Sequence, residues 1–510
     1  MPSEQRLHLS SLLFDVARHV KQFALPAVLV AFGASRSTGG EQGTFARLPS
    51  GWEVWLLLLF VPATIMSVIR YLTFRFSYDD RELVIRTGLV FRNVRKIPFP
   101  RIQNVDAIQN VLHRMLGVAE VRIETGGGKE EEARLSVLPY AAFIEMRDHI
   151  FRERISQPAH PVHPEHPEHP AHPVLVHLNL RELLLCGFLE NKGMVLIGAA
   201  FGVGWESGVL GRFTDQFFYR TYFRSLIESF TEGGPFPIAR VGIALAAIAV
   251  FLVAVRIISM LWALVRLYDF RLTRVGEDLR SEYGLFTKVA ATVPIRRVQT
   301  ITIAAGPLHR LLKRTTVRVA TAGGGGGAGA KERSREWLAP LITEQALPHL
   351  LTHVLPGFEL SSVEWQRVHP RAFARAIKPA LLFTVLVALS AAIFIGRGAI
   401  GIFIVMLLWN IFTTRKHVQH LGWAAGEEVV LMKSGWMRRQ ITLARVNRIQ
   451  AVALRQTPFD RRAAMARVRV DTAGASEFSH RLDIPYLDHD IARALARQLS
   501  AAAASTTFRW

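Results

Sequence analysis

The sequence is short of cysteine and of acidic residues. Cys186 is the only cysteine among 510 residues, so the chain can form no internal disulfide and no cysteine-based metal site. Only 41 Asp and Glu residues stand against 62 Lys and Arg residues, which leaves a formal net charge of +21. The chain also lacks a His-Glu-x-x-His motif, a Gly-x-Ser-x-Gly motif and paired aspartates at metal-ligand spacing. We therefore expect no catalytic centre and no cofactor.

Apolar residues, in contrast, are abundant. They make up 50% of the chain, and the mean hydropathy is +0.22. Apolar blocks alternate with basic blocks, which is typical of an integral membrane protein with positively charged flanks rather than of a nucleic-acid-binding protein. Residues 1–21 mix charged and apolar side chains without a cleavage pattern, so we expect no cleaved signal peptide.

A cassette of landmark residues occurs three times. In each copy a glycine precedes an Arg-(Ile/Val)-Gln motif by 13 residues, and that arginine precedes a Thr-(Gly/Ala)-Gly motif by 24 residues. The landmarks are Gly88, Arg101 and Thr125 in the first copy, Gly284, Arg297 and Thr321 in the second, and Gly435, Arg448 and Thr472 in the third. Two constant spacings in three copies indicate an internal repeat, so the chain holds three versions of one small domain.

Apolar segments precede each cassette in pairs, and six of them can be interpreted as membrane spans. They are residues 23–34 and 54–69, 194–205 and 241–264, and 379–395 and 400–411. A helix needs about 20 apolar residues to cross the hydrocarbon core. The short spans would therefore have to recruit residues 20–22, 183–189 and 412–414. A buried amphipathic helix is the alternative for the two weakest, but the pairing favours three membrane hairpins.

Basic residues indicate the orientation. An even number of spans before every cassette places all three cassettes on one side of the membrane. Arg70 and Arg75 follow the first hairpin, Arg266 and Arg271 the second, and Arg415 and Lys416 the third. The positive-inside rule therefore predicts that the three cassettes are cytoplasmic.

Each cassette has the pattern of a small α+β domain. Val121, Ile123 and Thr125 alternate with polar residues, and the equivalent segments of the other copies do the same, as expected of half-buried strands. A helix is predicted to close each copy, at residues 140–152, 343–354 and 487–499. Strands followed by one helix suggest a β-barrel or β-sandwich plugged by that helix.

These patterns divide the chain into eight segments. Residues 1–70 hold an N-terminal segment and the first hairpin, 71–154 the first domain, 155–175 a His/Pro-rich linker and 176–265 the second hairpin. Residues 266–356 hold the second domain, 357–414 a connector and the third hairpin, 415–500 the third domain and 501–510 a tail.

The landmarks resemble a known domain family. Gly88, Ile97-Pro98, Arg101-Ile102-Gln103 and Thr125-Gly126-Gly127 are similar to the pattern of the bacterial PH-like domain, in the membrane-flanked form of the YdbS- and YdbT-like proteins. The third copy departs from it, since Ala444-Arg445 replaces the Ile-Pro pair. The resemblance implies α-helical hairpins in the bacterial inner membrane and three cytoplasmic PH-like β-barrels, each capped by a C-terminal helix. It implies no established reaction, and it suggests a smaller single-cassette relative as a partner.

Nine recurrent arginines are the candidate binding residues. They are Arg101, Arg297 and Arg448 of the Arg-(Ile/Val)-Gln motif, then Arg114, Arg310 and Arg461, and finally Arg122, Arg318 and Arg469 on predicted strands. A planar guanidinium group suits bidentate binding of phosphate or carboxylate, so these residues predict contact with anionic lipids or an acidic partner. The alternative is a structural role, which we favour for the motif arginines. The strand arginines are expected to face solvent.

Two low-complexity segments carry little functional signal. Five histidines lie three residues apart in the Pro-rich stretch 158–173, which we interpret as a semi-rigid spacer rather than as a metal site. The glycine-rich stretch 323–329 lacks the following lysine of a phosphate-binding loop, and we interpret it as a flexible insertion.

Three classes of function remain open. The first is a non-enzymatic membrane scaffold whose domains bind proteins, anionic lipids or each other. The second is a transport or export component involved in resistance to toxic peptides. Arg256, inside an apolar segment, keeps that class open because intramembrane charges often mark transport paths. The third is a membrane lipid-modifying enzyme. We expect membrane lipids and no nucleic acid as partners, and the oligomeric state stays open.

Overall fold

The computed structural model describes residues 7–15, 64–65, 67–69, 71–78, 81–89, 92–99, 102–125, 133–155, 173–206, 238–321, 337–472 and 482–505. The chain forms two compact units. One comprises Met1–Pro170 with Thr287–Thr292, and the other comprises Ala171–Phe286 with Val293–Trp510.

The first repeat consists of two sets of three strands and two helices. Its elements are β1 (Arg75–Tyr78), β2 (Glu82–Thr87), β3 (Asn93–Pro98), β4 (Ile102–Gln109), α1 (Val111–Met115), β5 (Val118–Thr125), β6 (Ala133–Pro139) and α2 (Tyr140–Ile155). The strands pair antiparallel in the orders β1-β2-β3 and β4-β5-β6. Leu83 on β2 and Val121 and Ile123 on β5 share one buried core with Phe143 and Met146 of α2. Helix α2 thus closes the core of this repeat, as the sequence predicts.

The second repeat and the elements before it extend from residue 174 to residue 354. They are β7 (Val174–His177), α3 (Leu180–Leu189), α4 (Lys192–Glu206), α5 (Ile238–Leu267), β8 (Arg271–Val275), β9 (Asp278–Tyr283), β10 (Lys288–Pro294), β11 (Val298–Ala305), α6 (Pro307–Leu311), β12 (Arg314–Thr321), β13 (Trp337–Thr343) and α7 (Leu347–Val354). Strand β7 was not among the predicted strands; it pairs antiparallel with β8 at the edge of this repeat.

The third repeat follows a pair of long helices and has the same order of strands. Its elements are α8 (Ala372–Ile395), α9 (Ala399–Gln419), β14 (Gly422–Ala425), β15 (Val429–Ser434), β16 (Arg439–Arg445), β17 (Ile449–Arg455), α10 (Pro458–Arg462), β18 (Met465–Thr472), β19 (Leu482–Asp488) and α11 (His489–Ser505). Val468 on β18 and Ile484 on β19 are buried against Leu495 and Leu499 of α11, which repeats the packing of α2 in the first copy.

Two of the closing helices begin later than the sequence predicts. The predicted start at residue 343 is wrong, because β13 continues to Thr343 and α7 begins at Leu347. The predicted start at residue 487 is also wrong, because β19 continues to Asp488 and α11 begins at His489. In both repeats the last strand needs these residues for its pairing with the strand before it, through Arg314 and Thr343 in one case and Met465 and Asp488 in the other.

The described strands do not close into a barrel within one repeat, which differs from the barrel expected for each domain. Strand β11 of the second repeat pairs antiparallel with β16 of the third, and one six-stranded sheet runs in the order β13-β12-β11-β16-β15-β14. In the first unit, residues 107–109 of β4 pair in the same way with residues 288–290 of β10. A strand edge presents unpaired N–H and C=O groups. In this protein, a strand of the neighbouring repeat pairs with the N–H and C=O groups of these edges, and the described strands of one repeat do not close into a barrel.

The recurrent cassette glycine has a backbone reason. Gly88, Gly284 and Gly435 have φ of 97, 117 and 80°, in the region that only glycine enters without strain. Gly88 and Gly435 lie in the turns that join β2 to β3 and β15 to β16, and Gly284 lies between β9 and β10. The constant spacing of this glycine in the sequence is therefore set by the turn after the second strand of each repeat.

Three helices in the described part of the chain are long and apolar enough to cross a membrane. They are Val241–Leu267, Ala372–Ile393 and Gly396–Gln419. Helices α3 and α4 form a pair bent by 62°, which would be a fourth span if the pair crosses as one. The sequence predicts a span at residues 194–205 that recruits residues 183–189 across the polar residues 190–192, and the structure forms these residues as two helices that bend at residues 190 and 191. Residues 23–34 and most of residues 54–69 lie outside the described residues.

Arg256 of α5 closes the break between α3 and α4. Its guanidinium group donates hydrogen bonds to the carbonyl oxygen of Phe188, at 2.9 Å, and to the side chain of Asn191. The backbone N–H of Gly193, in the first turn of α4, donates to Ser259 Oγ of α5 at 2.7 Å. Backbone groups that the break leaves without helical partners are thus satisfied by α5. This local role accounts for the charge inside the apolar segment.

Candidate functional site

An arginine-lined cavity lies in the third repeat. It has a volume of about 550 Å³ and is bounded by β17, α10, β18, part of β19 and the start of α8. Four arginines line it: Arg375, Arg455, Arg467 and Arg469. Arg467 and Arg469 are two residues apart on β18 and so share a face, and Arg455 is the last residue of β17, directly opposite Arg467 in the strand register.

Helix α8 contributes Arg375 to the cavity from its first turns. Arg375 Nε donates to Asp460 Oδ1 at 2.6 Å, and its Nη2 donates to Thr457 Oγ1 at 3.1 Å. Thr457 and Asp460 also form the capping box of α10, where Thr457 Oγ1 accepts from the backbone N–H of Asp460. The guanidinium group lies 5.5 Å from the centre of the Phe459 ring. Arg375 thereby links the base of a candidate membrane helix to the wall of the cavity.

Burial and hydrogen bonding act in opposite directions on Asp460. Burial raises the pKa of its carboxyl group, but hydrogen bonds from Thr457 and from Arg375, with the charge of Arg375, outweigh that effect. The pKa of Asp460 is therefore below its ordinary value. The carboxylate stays charged near neutral pH and neutralises one of the four arginines.

A second carboxylate holds the two β18 arginines. Arg467 Nη1 and Arg469 Nη2 both donate to Asp483 Oδ2, at 3.1 and 3.4 Å. Asp483 Oδ1 and Arg469 Nε are buried without a hydrogen-bond partner among the described residues. One carboxylate is thus shared by two guanidinium groups, and Arg469, which lines the cavity, keeps one unsatisfied N–H group.

Arg455 completes the positive charge of the cavity. Its side chain is exposed, and it forms no hydrogen bond or ion pair within the described part of the chain. Asp460 and Asp483 balance two of the four arginines, so the walls keep an excess of positive charge. Tyr486, which also lines the cavity, has a φ of 56°, a conformation that is uncommon for a bulky residue and is concentrated at functional sites. The arrangement suits a doubly charged or singly charged oxyanion such as a phosphate group.

The same strand positions carry different charges in the other two repeats. In the first repeat they are Glu120 and Arg122; Arg122 is only 9% exposed and donates to Glu120 Oε1 at 3.0 and 3.1 Å. The expectation that Arg122 faces solvent is therefore wrong, because a carboxylate two residues away on the same face holds it within the sheet. In the second repeat Arg318 is half-buried and lies 4.3 Å from the centre of the Trp337 ring.

The cross-strand neighbour on the last strand determines these differences. The residue opposite Arg318 is Trp337, and the residue opposite Arg469 is Asp483. In the second repeat a ring therefore covers the guanidinium group, and in the third a carboxylate holds two of them. In the third repeat this strand position places two arginines at the wall of an open cavity.

The other arginines of the predicted set that the structure describes lie away from the cavity. Arg297 and Arg448 end the short 3₁₀ turns that precede β11 and β17. Arg114, Arg310 and Arg461 lie on the short helices α1, α6 and α10, and Arg310 Nη2 donates to the carbonyl oxygen of Met437 at 3.2 Å. Arg101 lies outside the described residues. Among the described members of the predicted set, Arg469 is the one that lines the cavity.

Three of the four cavity arginines lie outside the set of recurrent arginines. Arg375, Arg455 and Arg467 do not recur in the other repeats, so a search for shared residues excludes them. The alternation of arginine and valine in Arg467-Val468-Arg469-Val470 is a signal that could have found one of them, since it places two arginines on one strand face. No local signal identifies Arg375, which reaches the cavity from a helix distant in sequence.

Metal binding has no support in the described residues, where no group of three or more His, Cys, Asp or Glu side chains is placed to hold a metal ion. The His/Pro-rich stretch 158–172 and the glycine-rich stretch 323–329 lie outside the described residues.

Comparison with known proteins supports the repeat architecture. The family model of the bacterial PH domain matches residues 19–154, 227–346 and 374–503. The UPF0699 transmembrane protein YdbT of Bacillus subtilis (strain 168) is 23% identical over 494 residues, which cover 93% of this chain and 94% of that protein. No solved structure matches the chain. Each match of the family model includes one of the three cassettes and apolar sequence before it. The chain is therefore a membrane protein that belongs to the bacterial PH domain family, with the PH domain repeated three times.

Proposed function

We propose that this protein is a non-enzymatic scaffold of the bacterial inner membrane whose PH-like domains are cytoplasmic, and that the cavity of the third repeat binds the phosphate group of an anionic lipid. The observation that carries the proposal is the position of Arg375. This residue lines an arginine-rich cavity and also belongs to a helix whose next turns are apolar enough to enter a membrane.

The helix pair α8 and α9 supports a membrane hairpin. The two helices are joined by the short turn Gly396–Gly398, and Asn410 Nδ2 of α9 donates to Thr384 Oγ1 of α8 at 2.7 Å. A polar contact of this kind between apolar helices is typical of packing inside a bilayer. Arg415 and Lys416 follow near the end of α9, where the positive-inside rule predicts the cytoplasmic surface. Three such hairpins would place all three PH-like domains on that side.

The cavity then lies at the level of the lipid headgroups. Arg375 is the fourth residue of α8, and the apolar stretch of this helix follows it. Arg455 is exposed and unpaired among the described residues, so it can bind a phosphate without breaking a native ion pair. Anionic lipid is favoured over an acidic protein because the cavity is built partly from the membrane helix itself.

Lipid binding by the full chain tests the proposal. The purified protein in detergent would be titrated with short-chain phosphatidylglycerol, and bound lipid would be counted by native mass spectrometry. Phosphatidylcholine and inorganic phosphate serve as comparison ligands. We expect tighter binding of phosphatidylglycerol than of phosphatidylcholine.

The variant Arg455→Gln identifies the cavity as the site. Hydrogen bonds to charged groups contribute about 1.5–3 kcal/mol, and solvent screening places this exposed residue at the lower end. We therefore expect binding to weaken about tenfold. Arg461→Gln is the matched control, because it removes the same charge from an exposed position of the same repeat that does not line the cavity. Equal weakening of lipid binding by both variants would reject the cavity as the binding site. Equal binding of phosphatidylglycerol and phosphatidylcholine would contradict recognition of anionic lipid and favour an acidic protein as the partner of the cavity.

A further inference from the structure

The turn that follows each cassette glycine is apolar. We call residues 435–438 tip 3 and residues 284–286 tip 2. Tip 3 carries Trp436 and Met437, and tip 2 carries Leu285 and Phe286. Met437 is 52% exposed and Phe286 is 56% exposed. Large apolar side chains at the end of a strand pair have no role in the core of either repeat, so their exposure needs a different explanation.

Tip 3 lies beside the last turns of a candidate membrane helix. The Trp436 ring packs edge-on against the ring of Phe412 in α9, with 5.6 Å between the centres. Phe412 in turn lies 6.3 Å from Trp409 and 6.0 Å from Lys416 Nζ. Trp, Phe and Lys side chains near the end of an apolar helix are typical of the boundary between hydrocarbon and headgroups. Tip 3 is therefore at that boundary if α9 crosses the membrane.

Tip 2 has the same relation to another candidate membrane helix. The backbone N–H of Leu285 donates to the carbonyl oxygen of Val265 in α5 at 3.0 Å. The backbone N–H of Gly284 donates to the backbone carbonyl oxygen of Tyr268, the residue after α5, at 2.8 Å. Tyr268 is exposed, and Trp262 lies two turns earlier on the helix. Two independent tips are thus fixed at the ends of two different apolar helices.

Tip 3 is held in place from two sides. Arg310 of α6 donates to the carbonyl oxygen of Met437 at 3.2 Å, in addition to the contact between Trp436 and Phe412. Arg438, the last residue of tip 3, and Arg439, the residue after it, are exposed and basic. A rigid apolar turn followed by basic side chains has the chemistry of a segment that enters the headgroup region of an anionic membrane.

We infer that tips 2 and 3 insert their apolar side chains into the boundary between headgroups and acyl chains of the membrane that α5 and α9 cross. This inference rests on the proposed function, because it requires those helices to span the bilayer. A lipid surface is favoured over a protein partner because both tips are fixed to the ends of apolar helices rather than to each other. The tips would orient the PH-like domains on the membrane and bring the cavity of the third repeat to the headgroups.

Site-specific labelling of the full chain tests the inference. Cysteine would be introduced by Met437→Cys in tip 3, by Leu408→Cys in the apolar part of α9, and by Gln498→Cys on the exposed face of α11. Each variant would carry an environment-sensitive fluorophore in vesicles of phosphatidylcholine and phosphatidylglycerol. Native Cys186 is buried, so the unmodified chain supplies the labelling background. Lipids with a nitroxide near the headgroup or deep in the acyl chain would quench the fluorophore by depth.

We expect the label at Met437 to be quenched by the shallow nitroxide, the label at Leu408 by the deep nitroxide, and the label at Gln498 by neither. Behaviour of the Met437 label like that of the Gln498 label, with Leu408 still quenched, would overturn the insertion of tip 3 and leave the membrane topology intact. Loss of quenching at Leu408 as well would overturn the topology itself.

Discussion

Replacing Gly187 by alanine tests how closely the broken helix pair packs on α5. A Cβ at this position would lie 2.5 Å from Met260 Cα, 2.7 Å from Ser259 O and 2.9 Å from Ala263 Cβ, whereas ordinary contacts begin at 3.4 Å. Two of these three atoms belong to the backbone of α5 and cannot rotate away. The two helices would therefore have to separate by about 1 Å over this contact.

The expected cost follows from two opposing effects. Overpacking costs about 1–3 kcal/mol, and rigid backbone neighbours place Gly187→Ala at the upper end. Alanine regains about 1 kcal/mol of helix propensity relative to glycine. We therefore expect a net loss of about 2 kcal/mol in the free energy of unfolding. The separation would also weaken the hydrogen bonds of Arg256 to the break, since they bridge the same two elements.

Gly198→Ala is the matched control within the same helix pair. Nothing lies within 4 Å of a Cβ built on Gly198, so only the gain in helix propensity remains. Thermal unfolding of the full chain in detergent micelles, followed by tryptophan fluorescence, would compare the two variants with the unmodified protein. We expect a lower transition temperature for Gly187→Ala and an equal or higher one for Gly198→Ala. Equal behaviour of both variants would refute the close packing of α3 on α5.

Three further predictions concern the repeats. Gly435→Ala would place a residue with a Cβ at a backbone φ of 80°, which costs about 1–2 kcal/mol. The transition temperature in the same assay should therefore fall. An unchanged transition temperature would contradict the turn conformation. Arg122→Glu should destabilise the chain by about 3–5 kcal/mol, because the new carboxylate would be buried next to that of Glu120. Arg461→Glu, at an exposed position, should change the free energy of unfolding by no more than about 0.5 kcal/mol. Equal stability of the two variants would show that Arg122 is not held in the sheet. The pKa of Asp460 is depressed, so its contribution to stability is present above the ordinary pKa of about 4 and is lost as pH falls through its lower folded value. Unfolding of the protein and of Asp460→Asn should therefore differ by a constant amount between pH 7 and about pH 5 and converge in stronger acid; a difference that disappears already near neutral pH would contradict the assigned direction.

The recurrent strand arginine illustrates how repeats of one fold diverge in chemistry. Its position is kept as Arg122, Arg318 and Arg469, but its neighbours are a carboxylate, an indole ring and a second arginine that shares one carboxylate. The first two arrangements neutralise or cover the guanidinium group. The third leaves charge that is available to a ligand. Recurrence of a residue in the sequence therefore identifies a position in the fold, and its partners decide whether that position can bind.

The sequence by itself determined the number of repeats, the family and the apolar helices. The cassette glycines could be found in the sequence because a turn with positive φ restricts the residue type locally. Strand alternation and the long apolar runs of α5, α8 and α9 are likewise local patterns. Properties that depend on a few neighbouring residues leave a periodic signal, and such a signal can be interpreted without knowledge of the rest of the chain.

Only the tertiary structure decided which residues meet. The six-stranded sheet depends on pairing between β11 and β16, strands that lie in different repeats and have no distinguishing pattern. The cavity likewise combines Arg375 with Arg455 and Arg467, which are separated by 80 and 92 positions in the chain. Contacts of this kind are set by the packing of whole elements and by which strand edge is left open. Their energies depend on distance and burial, which a linear sequence does not record.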